Sequence, residues 1–247
     1  MITSSSNTKV KYVGRLQTDR RFRWRERMFV VEGERAVRDA VKSHRPSLIL
    51  HSSAVTPPPT TVEMVAVSDE LMRQMSDVET PPGILAVTPF PTLELAAEPS
   101  LLLILDGVQT PGNMGTMLRT AAAAGVDGVL LAPGCVDPFN PKVVRGGMGA
   151  QWRIPLVKAS WAEIERQTAG MNVWIASAES ATPYTQVNWI ERSALVIGNE
   201  ANGPSAAAQR LGRGVMIPMA ADVESLNAAM ASGIILFEVA RQRGELS

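Results

Sequence analysis

The chain has 247 residues, with 24 Lys and Arg against 24 Asp and Glu and a single cysteine, Cys135. This length allows one large domain or two small ones. The lone cysteine excludes an internal disulfide framework and points to a reducing compartment, and no apolar run reaches the ~20 residues of a membrane-spanning helix.

The opening stretch MITSSSNTKVKYVGR lacks the apolar core of a secretory signal, so a cytoplasmic location is expected. Charge is balanced overall but unevenly spread. Residues 1–45 hold twelve Lys and Arg against five Asp and Glu, which leaves twelve against nineteen for the rest. A basic front suggests a polyanionic partner; a solvated helix face is the alternative. Within residues 8–27, Arg20, Arg21, Arg23, Arg25 and Arg27 are close enough in sequence to form one cationic surface. The planar fork of arginine suits RNA phosphates. Tyr12 or Trp24 is a candidate for stacking on an unpaired base, with anchoring of this segment by Phe22 and Trp24 as the other reading.

Alternating short elements follow. Strands are expected at 28–33, 47–53, 61–68 and 83–90, with helices at Glu34–Ser43 and 69–76. This pattern predicts a small α/β domain over residues 1–92. The proline-flanked PFPTLELAAEP supplies a linker at 93–99.

The second domain, 100–247, opens with the wholly apolar LLLILD (101–106), suited to a buried parallel strand. A helix over Asn113–Ala124 ends at Gly125. Strands are expected at 128–133, 154–160, 172–180, 194–197 and 214–219. Helices are expected at Trp161–Ala169, near Pro204–Leu211, and as a long final helix opened by Ser225 as N-cap. The segment 140–150 carries Arg145 and three glycines. The alternation predicts an open parallel sheet with helices on both faces.

The chemistry is narrowed by what is missing. Both histidines, His44 and His51, lie in the front domain, so the second domain has no His- or Cys-based triad, and no zinc cluster or other metal site is expected. There is no P-loop. The glycines after the first strand, at 107, 112 and 115, do not have dinucleotide spacing. The polar groups that remain near strand ends are Asn113, Arg119, Asn199, Glu200 and Asn227.

Three strand–turn–helix segments stand out: LDGVQTPGNMGTMLRT with Asn113, Gly115 and Arg119; LVIGNEANGPS with Gly198-Asn199-Glu200 and Gly203; and Ser225-Leu226-Asn227 with Gly233. In this order they resemble the three motifs of the SpoU (TrmH-like) RNA 2′-O-ribose methyltransferases of the SPOUT class. FVVEGERAV and TPPGILAV in the front resemble the ribosomal-protein-L30e-like substrate-binding domain that precedes many of them. The resemblance implies an α/β fold whose parallel sheet is flanked by helices and ends in a C-terminal trefoil knot. It also implies a homodimer and S-adenosyl-L-methionine as cofactor, contacted at Gly198, Ile217 and Leu226.

By position Arg119 is the resembled family's catalytic arginine, acting either as a base or as an electrostatic clamp on phosphate and the developing alkoxide. The clamp is physically favoured because a neutral arginine is costly. Asn113 and Glu200 are expected to orient Arg119 or the substrate, with a helix-capping role open for Glu200, and Asn227 completes the catalytic set. Arg20, Arg21, Arg23 and Arg25 are the RNA-binding candidates. Glycine at 146 and 147, where many relatives have serine, leaves a substrate contact there in doubt. Alanine at 201 requires that this residue avoid a left-handed conformation. Ribosomal RNA is the expected substrate. Transfer RNA, or a catalytically silent RNA-binding protein of the same fold, remain as alternatives; a small-molecule or protein methyltransferase has no support in the basic front.

Overall fold

The computed structural model describes residues 1–76, 78, 80–220, 223 and 225–244. Positions 221, 222 and 224 of the loop before the last helix, and 245–247 at the end of the expected second domain, lie outside the described residues. The chain divides into two compact units. One is Met1–Pro91 together with Phe139–Arg145; the other is Thr92–Pro138 together with the chain from Gly146 onward.

In the front unit, residues 8–27 form two helices, α1 (Thr8–Thr18) and α2 (Arg20–Glu26). Asn7 caps α1 by accepting from Lys9 N at 2.9 Å, and Asp19 caps α2 by accepting from Phe22 N at 3.0 Å. Val10, Val13 and Leu16 recur at helical spacing and pack with Phe22 into the unit's core. The remaining elements are β1 (Met28–Glu32), α3 (Glu34–Ser43), β2 (Leu48–His51), β3 (Met64–Ala66), α4 (Asp69–Met75) and β4 (Ile84–Pro89). Their sheet has the order β1-β4-β2-β3, with β4 antiparallel to both neighbours and β3 parallel to β2.

One expectation for this unit needs correction, and one reading left open is decided. Arg23 is only 2% exposed, and its guanidinium donates to the carbonyls of Leu16 and Gln17 at 2.6 and 2.9 Å. It satisfies the end of α1 and does not belong to a cationic surface; Arg20, Arg21, Arg25 and Arg27 are exposed. Trp24 is taken up in an aromatic cluster, edge-on to Phe90 and Phe139 at 5.1 and 5.8 Å. Tyr12 lies edge-on to Phe22 at 5.6 Å. Both rings therefore anchor the segment.

The second unit contains β5 (Leu101–Leu105), α5 (Pro111–Ala123) and β6 (Gly128–Leu131). Then come α6 (Pro141–Gly147), which begins among the residues of the front unit, β7 (Leu156–Lys158), α7 (Trp161–Gln167) and β8 (Asn172–Ala176). It ends with β9 (Ser193–Ile197), α8 (Ala206–Leu211), β10 (Arg213–Val215) and α9 (Ala228–Arg243). All six strands are parallel, in the order β10-β8-β9-β5-β6-β7. β5 and β9 are buried along their whole length and sit side by side, Leu103 opposite Leu195. Continuous apolar runs are what a strand covered on both faces requires. Strand order reverses at this pair, and a crevice beyond the carboxyl ends of such strands is the usual binding place in open α/β sheets.

Helix α5 begins with Pro111 at its first turn, two residues before the expected start. Gly115 lies on its buried side. A Cβ on Gly146 would stand 3.4 Å from the Gly115 Cα, so two glycines let these backbones approach closely. The space beside Gly115 is therefore filled by protein backbone. Helix α9 is capped by Asn227 and not by the expected Ser225: the Asn227 side-chain oxygen accepts from Ala229 N and Met230 N at 2.9 and 3.2 Å.

Candidate active site

The turn that leaves β9 is built largely from its own backbone. Asn199 and Gly203 exchange N–H···O bonds of 3.0 and 2.9 Å, and Gly203 has φ +66°. The Asn199 side-chain oxygen accepts from the amides of Ala201 and Asn202, both at 3.0 Å. Its NH₂ group donates to Gly107 O at 2.7 Å, tying this turn to the one after β5. Ala201 does not adopt a positive φ, so alanine is accommodated there. A Cβ on Gly198 would lie 2.4 Å from the Gly203 carbonyl carbon and the Pro204 nitrogen. Glycine at 198 is thus required by the closure of the turn itself. Buried Asp106 strengthens the same corner by accepting from Ser205 N at 2.6 Å, one residue before α8.

From this turn Glu200 reaches the start of α5. Its carboxylate accepts from Thr110 N at 3.0 Å and Gln109 N at 3.2 Å. The same carboxylate accepts from the Asn113 side-chain amide at 3.2 Å. Thr110, the N-cap residue, makes no side-chain cap bond of its own; a carboxylate from another motif satisfies those amides and faces the positive end of the helix dipole. Partial burial acts to raise the Glu200 carboxyl. Donation from its own N–H, from Gln109 and Thr110 and from Asn113 outweighs that burial and holds the group below the ordinary glutamate range.

Asn113 continues the chain of bonds. Its carbonyl oxygen accepts from the Asn227 NH₂ at 3.1 Å, while the Asn227 oxygen caps α9. Every amide orientation in the series Glu200–Asn113–Asn227 follows from the next: the carboxylate only accepts, so Asn113 must present NH₂ to it and oxygen to Asn227. One member of each of the three sequence motifs is thereby joined in a single hydrogen-bonded line. Of the roles expected for Asn113 and Glu200, orienting Arg119 or the substrate with capping open for Glu200, the bonds formed are those of the cap and of this line, and neither residue is bonded to Arg119. Arg119 lies on the exposed side of α5 and, among the described residues, forms no hydrogen bond or ion pair.

A cavity of about 610 Å³ opens beyond the ends of β8, β9 and β10. The expected cofactor positions Gly198, Ile217 and Leu226 all line it, as do Glu200 and Asn227; Arg119 does not. Reading the sequence misses three features: Asp106, Glu179 on the wall after β8, and Gln209 on α8. For Asp106 the available signal is an acid ending an otherwise apolar strand. The other two have none that separates them from surface residues. Burial pushes the Cys135 thiol up to about 11, which removes the one cysteine as a nucleophile.

Comparison with known proteins agrees with this geometry. Residues 100–237 match the SpoU rRNA Methylase family, and residues 7–86 match the MRM3-like substrate binding domain. The 23S rRNA (guanosine(2553)-2′-O)-methyltransferase RlmP of Bacillus subtilis is 34% identical over 96% of this chain and 98% of its own. Among solved structures, the AdoMet-bound rRNA methyltransferase from Sinorhizobium meliloti has a TM-score of 0.85 at 27% identity, covering 100% of this chain and 98% of that one. AviRb from Streptomyces viridochromogenes, a SpoU methyltransferase solved in complex with AdoMet, also has a TM-score of 0.85 at 27% identity, over 98% of this chain and 100% of that one. With one residue of each motif joined in a hydrogen-bonded line and its sequence matched over most of its length, the chain belongs to the SpoU rRNA methylase family.

Proposed function

We propose that this protein is an S-adenosylmethionine-dependent RNA 2′-O-ribose methyltransferase acting on ribosomal RNA. The carrying observation is the cavity at the β8–β10 strand ends, walled by Gly198, Ile217 and Leu226 and reached by two members of the Glu200–Asn113–Asn227 line. Its volume lies in the range of small-molecule sites. Its lining suits the cofactor chemically: Ile217 and Leu226 give apolar surface for a purine, and the two ionisable groups among the described lining residues, Glu179 and Glu200, are both carboxylates. When bound, S-adenosylmethionine supplies the electrophile, a methyl group on a sulfonium. The protein's part is to position and to prepare a ribose hydroxyl. Arg119, exposed and uncommitted, serves as the clamp for RNA phosphate and for the charge that develops on the 2′-oxygen. The Asn113 line fixes the N-terminus of α5, the helix that carries Arg119.

Ribosomal RNA is favoured over transfer RNA because full-length relatives such as RlmP bear rRNA names. The front unit supplies RNA affinity through Arg20, Arg21 and Arg25, supported by their exposure. A trefoil-knotted C-terminal path is also part of the proposal, supported by residues 198–204 meeting Ile217, Met219 and Ser225, Leu226 and Asn227 at one cavity. A homodimer is supported by Met230 and Phe237, seven residues apart on α9 and 59% and 43% exposed. The test is transfer of a labelled methyl group from S-adenosylmethionine to unmodified ribosomal RNA, with transfer RNA in parallel and 2′-O-methyl mapping of the product. Label in neither RNA rejects the enzyme; label in transfer RNA alone replaces the substrate.

A further inference from the structure

Glu179 stands on the turn after β8, at the wall of the cavity. Its residue is exposed and, among the described residues, its carboxylate has no hydrogen bond or ion pair. The other carboxylate of the lining, Glu200, is already held by two backbone amides and Asn113. No lysine, arginine or histidine occurs among the described lining residues. Among the described lining residues, the cavity therefore presents one carboxylate without a compensating partner, that of Glu179. Its ligand changes charge during the reaction: a sulfonium becomes a neutral thioether when the methyl group leaves, while the amino-acid portion is unchanged.

Resting on the methyltransferase reading above, we propose that Glu179 discriminates by charge between the two forms of the cofactor, holding S-adenosylmethionine and favouring release of S-adenosylhomocysteine. A single carboxylate at several ångströms, partly screened by water, gives a selectivity of about threefold to tenfold. Because the group is exposed, that selectivity weakens as salt shortens the screening length.

The experiment measures, by calorimetry on the full chain, the affinities of three ligands: S-adenosylmethionine, S-adenosylhomocysteine, and sinefungin, which carries an amine cation near the sulfonium position. Glu179→Gln should weaken both cations about threefold to tenfold at low salt and leave S-adenosylhomocysteine unchanged. Glu179→Lys should extend the loss for the cations alone. Equal weakening of all three ligands by Glu179→Gln would assign the carboxylate to a group common to them, such as the ribose diol, and overturn charge selection. No change in any affinity would also overturn it. If the wild-type protein binds none of the three, the cofactor reading fails, and the proposal with it. Unchanged melting of both variants checks that the fold is retained.

Discussion

Asn113 and Asn227 are 114 positions apart in the chain and 3.1 Å apart in the fold, joined amide to amide. The bond links the first turn of α5 to the cap of α9, and its direction is set by Glu200 on the far side of Asn113. Asn227 consequently has two separable duties. Asn227→Ala removes the helix cap and should cost about 1 kcal/mol, or roughly 2–4 °C in melting temperature for a chain of this size. Asn227→Asp retains an acceptor for the α9 amides but has no donor for Asn113. It should melt close to wild type yet methylate more slowly, because whichever way Asn113 turns, one of its two neighbours is left facing like charge or lone pairs. Wild-type activity for Asn227→Asp would reduce Asn227 to a cap.

Glu200 gives a pH signature. Its carboxyl is held below the usual glutamate value in the folded chain, so the stabilisation is present above the unfolded value of about 4.3 and is lost as pH falls through the lower folded value. The melting temperature of the wild type should therefore fall more steeply below about pH 4 than that of Glu200→Gln, which has no such proton to take up. Parallel curves would show that the α5 amides do not depend on the charge.

Two glycines of the same turn should respond differently to alanine. At Gly198 the new methyl would sit 2.4 Å from the Gly203–Pro204 backbone, so the turn must open. Loss of about 1–3 kcal/mol in denaturant unfolding and loss of cofactor binding are expected together. At Gly203 a Cβ meets open space, and the penalty is the left-handed φ of +66°, about 1 kcal/mol, with binding largely retained.

Arg119 is exposed, so Arg119→Ala should leave melting and cofactor affinity unchanged while lowering kcat by about a hundredfold or more in single-turnover methylation. Arg119→Lys should recover part of the rate if a point charge suffices, and little if a bidentate phosphate clamp is needed. A wild-type rate for Arg119→Ala would take this residue out of the active site.

The front arginines divide in the same manner. Replacing Arg20, Arg21 and Arg25 by alanine should weaken RNA binding and flatten its salt dependence, since fewer counterions are released. Arg23→Ala should instead destabilise the fold by about 1–3 kcal/mol, because the Leu16 and Gln17 carbonyls lose a charged donor. Filter binding across a salt series, paired with urea unfolding, distinguishes the two.

The alternation of elements, the parallel sheet and the three motif segments are all readable in the linear chain, because β5 is apolar throughout, β9 is apolar after Ser193, and both strands break at a glycine-bearing turn. Three local features are not. Arg23 reads like its neighbours, and only the angle between α1 and α2 turns it inward onto carbonyls. Ser225 and Asn227 are both good capping residues, so the cap is decided by where α9 first packs on α5. Nothing around Gly115 announces that Gly146, thirty-one positions later, is brought against it. Each depends on a packing partner that no local pattern names.

The front unit is discontinuous in sequence. Phe139 belongs to it, stacked on Phe90 with ring centroids 3.8 Å apart and tilted 49° against Phe29 at 5.1 Å. During synthesis this unit is not complete when residue 91 leaves the ribosome; its last aromatic arrives only after β5, α5 and β6 have been made. A fragment cut at the apparent boundary would therefore lack the ring that stacks on Phe90 and packs against Phe29.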